Sequence, residues 1–152
     1  MIRILIDELG DGHGDIFLKV DAMPSFFQIA DLYYMADFLE LEENNPIVIG
    51  AAYINYFLSF VDKLGSAPEF ITFDLSDQYI GGLLMSKLNK GLVETQYVVS
   101  DKTFGFEATC QGMDVLIKKR NPEFESERNW RLSEASIVEG LNWSLEKVRQ
   151  HS

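Results

Sequence analysis

NNPIVIGAAYINYFLSFVDKLG, residues 44–65, decides the architecture, because it carries a helical period with both ends marked. Asn45 followed by Pro46 is an N-cap and first-turn pair, and Gly65 is a natural stop. At about 100° per residue, Val48, Ala52, Asn55, Ser59, Asp62 and Lys63 share one narrow arc. Ile47, Ile49, Ala51, Tyr53, Ile54, Tyr56, Phe57, Leu58, Phe60, Val61 and Leu64 wrap the remainder, wider than the stripe of a surface helix. The spacing predicts a buried central helix over about 46–64, which the rest of the chain must cover. It is not a membrane span: the apolar run falls short of the ~20 residues needed and carries Asn55.

Upstream, Ile2, Ile4 and Ile6 alternate with Arg3, Leu5 and Asp7, which reads as a strand from Ile2 to Leu9. The turn cluster Gly10-Asp11-Gly12-His13-Gly14 follows. Ile16, Leu18 and Val20 then alternate with Phe17, Lys19 and Asp21, so Asp15–Ala22 completes a hairpin. Over Phe26–Leu41 the apolar residues scatter on a helical wheel, and aromatic and β-branched enrichment predicts a strand over Phe27–Met35. Ser25 and Gln28 have the competing spacing of a capping box.

Downstream, Phe70–Leu75 reads as a strand. Tyr79–Leu88 and Leu92–Ser100 flank the turn Asn89-Lys90-Gly91, with Gly81-Gly82 marking a bulge or a close backbone approach. Strands are expected over Phe104–Cys110 and Met113–Lys119, then a solvated loop at Pro122–Arg128. Leu132, Ser133 and Ile137 have the N-cap and staple spacing of a helix running from about 134 to 149. Its apolar face holds Ile137, Val138, Leu141, Leu145 and Val148. Trp143 points away from that face, to be capped by a neighbouring segment or by a partner. The expectation is a single α+β domain over residues 1–152, mainly antiparallel sheet of about seven to eight strands around a buried central helix, with a C-terminal helix.

Composition fits this reading. A chain 47% apolar and 12% aromatic can fold without disulfide or metal. Cys110 is the single cysteine, so an internal disulfide is excluded. Acids interrupt the N-terminal apolar run where an export signal needs continuity, which predicts a cytoplasmic protein.

Charge is more informative. The net charge is −11, and residues 1–76 hold 3 Lys/Arg against 13 Asp/Glu, whereas residues 77–152 hold 10 against 11. Such a field disfavours nucleic acid and anionic lipid and attracts a basic protein. The partner-binding pool is therefore Asp7, Glu8, Asp11, Asp15, Asp31, Asp37, Glu40, Glu42 and Glu43, with Trp143 as an aromatic candidate. Lys118-Lys119-Arg120 is too short a cluster to form a nucleic-acid patch.

Catalytic signals are sparse. His13 and His151 are the only histidines, one in a turn and one at the end of the chain, leaving little for imidazole catalysis. Gly10, Gly12 and Gly14 precede no helix, so they lack the dipole of a phosphate cradle. Asp11, His13 and Asp15 are metal-ligand types, but the turn itself explains the glycines and the spacing is not that of a calcium loop. No cofactor or metal is expected, and the chain reads as a binding protein in place of an enzyme.

The layout of YINYFLSFVDKL, the strand run ending in FGFEATCQGMDVLIKKR and the closing NWRLSEASIVEGLNWSLEKV resembles the small acidic immunity proteins of contact-dependent and other polymorphic toxin systems of bacteria. The likeness covers about Tyr53–Val148. It implies an α+β inhibitor that neutralises a cognate toxin, for instance a nuclease, by docking on its basic surface, and it supplies no site residue. Two alternatives stand beside it. One is a small-molecule binder or minor enzyme with Tyr33, Tyr34, Tyr53 and Tyr56 around a pocket between helix and sheet. The other is an assembly subunit using Trp143.

Overall fold

The hairpins on either side of the central helix form two separate antiparallel sheets in the computed structural model, which describes residues 1–7, 14–21, 26–42, 44–76, 79–101, 109–111, 113–114 and 125–150. The first sheet is a meander of β1 (Ile2–Asp7), β2 (Asp15–Val20) and β3 (Phe27–Asp31) in the order β1-β2-β3. Its period of two sorts the side chains by face. Ile2, Ile4, Ile16, Leu18, Val20 and Ala30 point inward and are buried.

The expected strand over Phe27–Met35 is corrected after Asp31. The chain turns there into α1 (Leu32–Phe38), because the Asp31 carboxylate accepts the Tyr33 amide at 2.7 Å and caps a helix. Leu32, Met35, Ala36 and Phe38 are its buried residues. A wheel drawn over Phe26–Leu41 scatters because it averages a strand period with a helical one.

The central helix is α2 (Pro46–Lys63), with the Asn45 side chain accepting the Ile47 amide at 2.9 Å. Ile49, Gly50, Tyr53, Ile54, Phe57 and Val61 are buried, while Val48, Asn55, Ser59, Asp62 and Lys63 are exposed as their arc requires. Gly65 is not the stop. Leu64 ends the helix by taking an extended conformation (φ −64°, ψ 132°) and burying its own side chain.

The second sheet is the meander β4 (Glu69–Leu75), β5 (Ile80–Lys87), β6 (Leu92–Ser100) and β7 (Glu125–Ser133). Register shifts between Thr72 and Asp74 opposite Gly82 and Gly81, so the irregularity marked by the two glycines is a bulge on their partner strand. A Cβ on Gly82 would lie 2.1 Å from the Ile71 carbonyl oxygen, so the close backbone approach is real too. The β5–β6 turn places Lys90 (φ 65°) and Gly91 (φ 72°) in the left-handed region.

Two further expectations are corrected. Cys110, Gln111, Met113 and Asp114 are helical, with the Met113 amide donating to the Thr109 carbonyl at 2.9 Å, so the strand expected to end at Cys110 and the one expected to begin at Met113 do not form there. Residues 104–108 and 115–119 lie outside the described residues. The loop expected over Pro122–Arg128 gives way to β7 from Glu125 onward, paired to β6 through Val99 and Glu125.

The closing helix is α3 (Glu134–Gln150), with Ser133 Oγ accepting the Ser136 amide at 3.1 Å. Leu132 and Ile137, the staple pair, are both buried. One continuous apolar core joins both sheets with α1, α2 and α3. No helix among those residues is long and apolar enough to cross a membrane.

Candidate functional site

The register of the first sheet gathers part of the acidic pool. Asp7 stands opposite Asp15, and Asp15 opposite Asp31, so three carboxylates from three strands form one row on one face at one end of the sheet. Opposed like charges on neighbouring strands destabilise a sheet by a few tenths to about 1 kcal/mol per pair. The same face carries two more rows. Leu5, Phe17 and Ile29 form an apolar row next to the aspartates, and Arg3, Lys19 and Phe27 stand in register in the row beyond it. Leu5 is 38% and Ile29 46% exposed, and Phe17 between them is half-buried, so the apolar row is partly open to solvent among the described residues.

The second sheet extends the acidic end. Burial raises the Asp74 carboxyl above its ordinary value, the Tyr79 hydroxyl donating at 2.9 Å pulls it down, and the charge of Asp31 pushes it up. Asp31 thus has two roles, capping α1 and contributing to the negative potential at Asp74. Beside it Tyr33 is 66% exposed and edge-stacked on Tyr34 at 5.8 Å.

The rest of the pool is not brought into this row. Glu40 (φ 55°) lies near Cys110, whose thiol is pushed up to about 11, first by burial and then by the Glu40 charge. Tyr56 donates to that sulfur, and its own phenol is raised, again chiefly by burial. A thiol held protonated in this way is a packing group and a poor nucleophile. Asp37 and Glu42 are exposed. Glu8, Asp11 and Glu43 lie outside the described residues, as do both histidines and the turn between β1 and β2. Among the described residues no group of three His, Cys, Asp or Glu is arranged to hold a metal ion.

Trp143 is half-buried and capped from within the chain. The Arg3 guanidinium sits 4.6 Å from its ring centroid and the Lys147 ammonium 5.7 Å, while Arg3 also pairs with Asp21 at 3.0 Å. Trp143, Ile4, Ile6, Ile47 and Val148 line a pocket of about 170 Å³ at the edge of β1. The tyrosines of the small-molecule alternative are elsewhere. Tyr53 is fully buried and donates to the Thr72 carbonyl at 2.7 Å, whereas Tyr33 faces solvent.

Sequence reasoning missed the Leu5, Phe17 and Ile29 row and the place of Asp74. Each of these residues lies on a correctly anticipated strand. The pairing of β3 onto the preceding strand was expected; what was lacking was its register, since only that alignment turns alternate residues of three strands into rows. No protein-family model, no curated protein and no solved structure matches this chain.

Proposed function

We propose that this chain is an acidic protein-binding inhibitor of the immunity type, which neutralises a cognate toxin, such as a nuclease, by docking on its basic surface. The observation carrying this reading is the in-register row of Asp7, Asp15 and Asp31, continued by Asp74. Like charges held side by side cost folding energy, and Lys or Arg from a partner would relieve that repulsion on binding. Fields complementary in this way raise the rate of encounter and exclude wrong partners. Inhibition by occlusion needs no catalytic group in the inhibitor, consistent with a raised, unreactive Cys110 thiol.

The test is affinity capture from the native host at low salt, comparing the natural chain with an Asp7→Asn, Asp15→Asn double variant. Both carboxylates are half-buried at the sheet's end, so each amide fits the same volume. A basic protein retained by the first and lost by the second, and released by salt, is the expected result. Retention of no basic protein, or equal retention by both, overturns the reading.

A further inference from the structure

The geometry points to a binding site for a small hydrophobic monocarboxylate in the pocket where α2 and α3 meet the edge of β1. This inference does not rest on the inhibitor reading and uses none of the aspartates that carry it.

The helix α3 runs along β1 in step with it. Four helical residues advance about 6 Å and two strand residues about 7 Å, so the same kind of contact recurs at every turn. Gly140 lies against the Ile2 carbonyl, and Ser144 Oγ accepts the Ile4 amide at 2.9 Å. β1 is an edge strand whose even-numbered amides point away from β2, so the next donor in the series is Ile6. One turn beyond Ser144 stands Val148, whose side chain has no acceptor to offer. Among the described residues nothing accepts the Ile6 amide.

The pocket of about 170 Å³ opens at this third step, walled by Ile4, Ile6, Ile47, Trp143 and Val148 with Lys147 beside them. An apolar cavity of about 150 Å³ takes a benzene ring, so a ring or a short branched chain fills this one. Lys147 supplies the charge. Its ammonium lies 5.7 Å from the Trp143 ring centroid and 3.5 Å from Gln150 Oε1, and no carboxylate among the described residues pairs with it. An occupant apolar at one end and anionic at the other answers all three features. Its hydrocarbon packs on the walls, one carboxylate oxygen accepts the Ile6 amide, and the flexible Lys147 stem brings the ammonium to the other. A plain hydrocarbon would leave the amide unmet. An amine would oppose Lys147 and bring a donor where an acceptor is needed.

The net charge of −11 works against an anion. At physiological salt the screening length is about 8 Å, so Lys147 counts for more than distant carboxylates. A ligand of about ten non-hydrogen atoms should then bind with a Kd on the order of 0.1–1 mM.

The experiment titrates the full ¹⁵N-labelled chain with phenylacetate and, separately, with its neutral counterpart phenylacetamide, at constant pH and ionic strength. Phenylacetate should shift the Ile6 amide and the Trp143 indole N–H saturably, and phenylacetamide should bind about tenfold more weakly or worse. Lys147→Gln keeps most of the stem and loses the charge, so it should weaken phenylacetate about tenfold and leave phenylacetamide unchanged. Ile47→Trp fills the pocket from a half-buried position and should abolish both, with circular dichroism confirming that each variant is folded. No saturable shift at Ile6 up to about 20 mM phenylacetate overturns the proposal. So does equal binding of acid and amide, a site indifferent to Lys147→Gln, or saturable shifts confined to residues away from the pocket.

Discussion

Ser144 Oγ accepts the Ile4 amide at 2.9 Å while donating to the Gly140 carbonyl at 2.7 Å, so one buried hydroxyl fastens α3 along the free edge of β1. The backbone arrangement explains the need for it. The Asp21 amide donates to the Met1 carbonyl at 3.0 Å, so the odd-numbered residues of β1 exchange hydrogen bonds with β2 and the even-numbered ones face the open edge. An uncovered edge invites pairing with another chain, and a helix laid along it removes that hazard.

Ser144→Ala should therefore destabilise the fold by about 1–3 kcal/mol, the cost of leaving a buried amide without its acceptor. The checks are the urea midpoint and the exchange rate of the Ile4 amide. An unchanged midpoint together with slow Ile4 exchange would contradict this account of the edge.

Two glycines test how closely the helices approach β1. A Cβ on Gly140 would lie 2.1 Å from the Ile2 carbonyl oxygen, which is backbone and cannot turn aside. A Cβ on Gly50 would meet Ile6 Cδ1, the far end of a half-buried side chain that can rotate. Gly140→Ala should thus cost about 2 kcal/mol or more by forcing α3 off the strand. Gly50→Ala should fall within about 1 kcal/mol of neutral, since alanine's helix preference offsets a small adjustment. Equal effects in thermal unfolding would show that the helix does not ride on the strand edge.

The elements readable in the sequence were those with one period and a marked end. Asn45-Pro46 and Ser133 announce their helices because a cap and a hydrophobic run agree, and the hairpin at Asn89-Lys90-Gly91 is announced by its turn. Asp31 shows where such reading fails. One carboxylate ends a strand and begins a helix with no loop between them, so neither period lasts long enough to declare itself. Gly65 failed for another reason: burial of Leu64 stops α2, a tertiary effect that no local preference contains. Of the candidate site, the acids were legible as a population. Their sorting into a row was not, because alignment across three strands is fixed by packing of the opposite face.

The neighbouring carboxylates give a titration that can be read residue by residue. Asp31→Asn keeps an oxygen for the α1 cap and removes the charge that raises Asp74. The Asp74 midpoint should fall, while staying above the ordinary value of 3.8 because burial, the larger cause, remains. Tyr79→Phe should move it the opposite way by removing the phenol that favours the ionised form. Carboxyl chemical shifts followed against pH check both signs. An Asp74 midpoint that ignores both substitutions would separate it from the acidic end of the first sheet.

Alkaline pH should unfold this protein through groups that the fold keeps protonated. The Tyr53 phenol is completely buried, donates to the Thr72 carbonyl at 2.7 Å, and is held well above the ordinary tyrosine value of 10.0, first by burial and then by its neighbours Tyr56, Tyr97 and Cys110. In the unfolded chain that proton leaves near pH 10, and in the folded chain it stays. The unfolded state therefore binds fewer protons above pH 10, and stability declines as pH rises. Cys110 acts in the same direction earlier, since its thiol is raised from 9.0 to about 11, so the decline should begin near pH 9 and steepen above 10. Cys110→Ser should remove the early part. Tyr53→Phe should flatten the later part, while costing about 1–2 kcal/mol at neutral pH through the lost hydrogen bond to Thr72. Urea midpoints at pH 7, 9, 10 and 11 decide the matter: a natural chain equally stable at all four would place these side chains in contact with water and dismantle the core around α2.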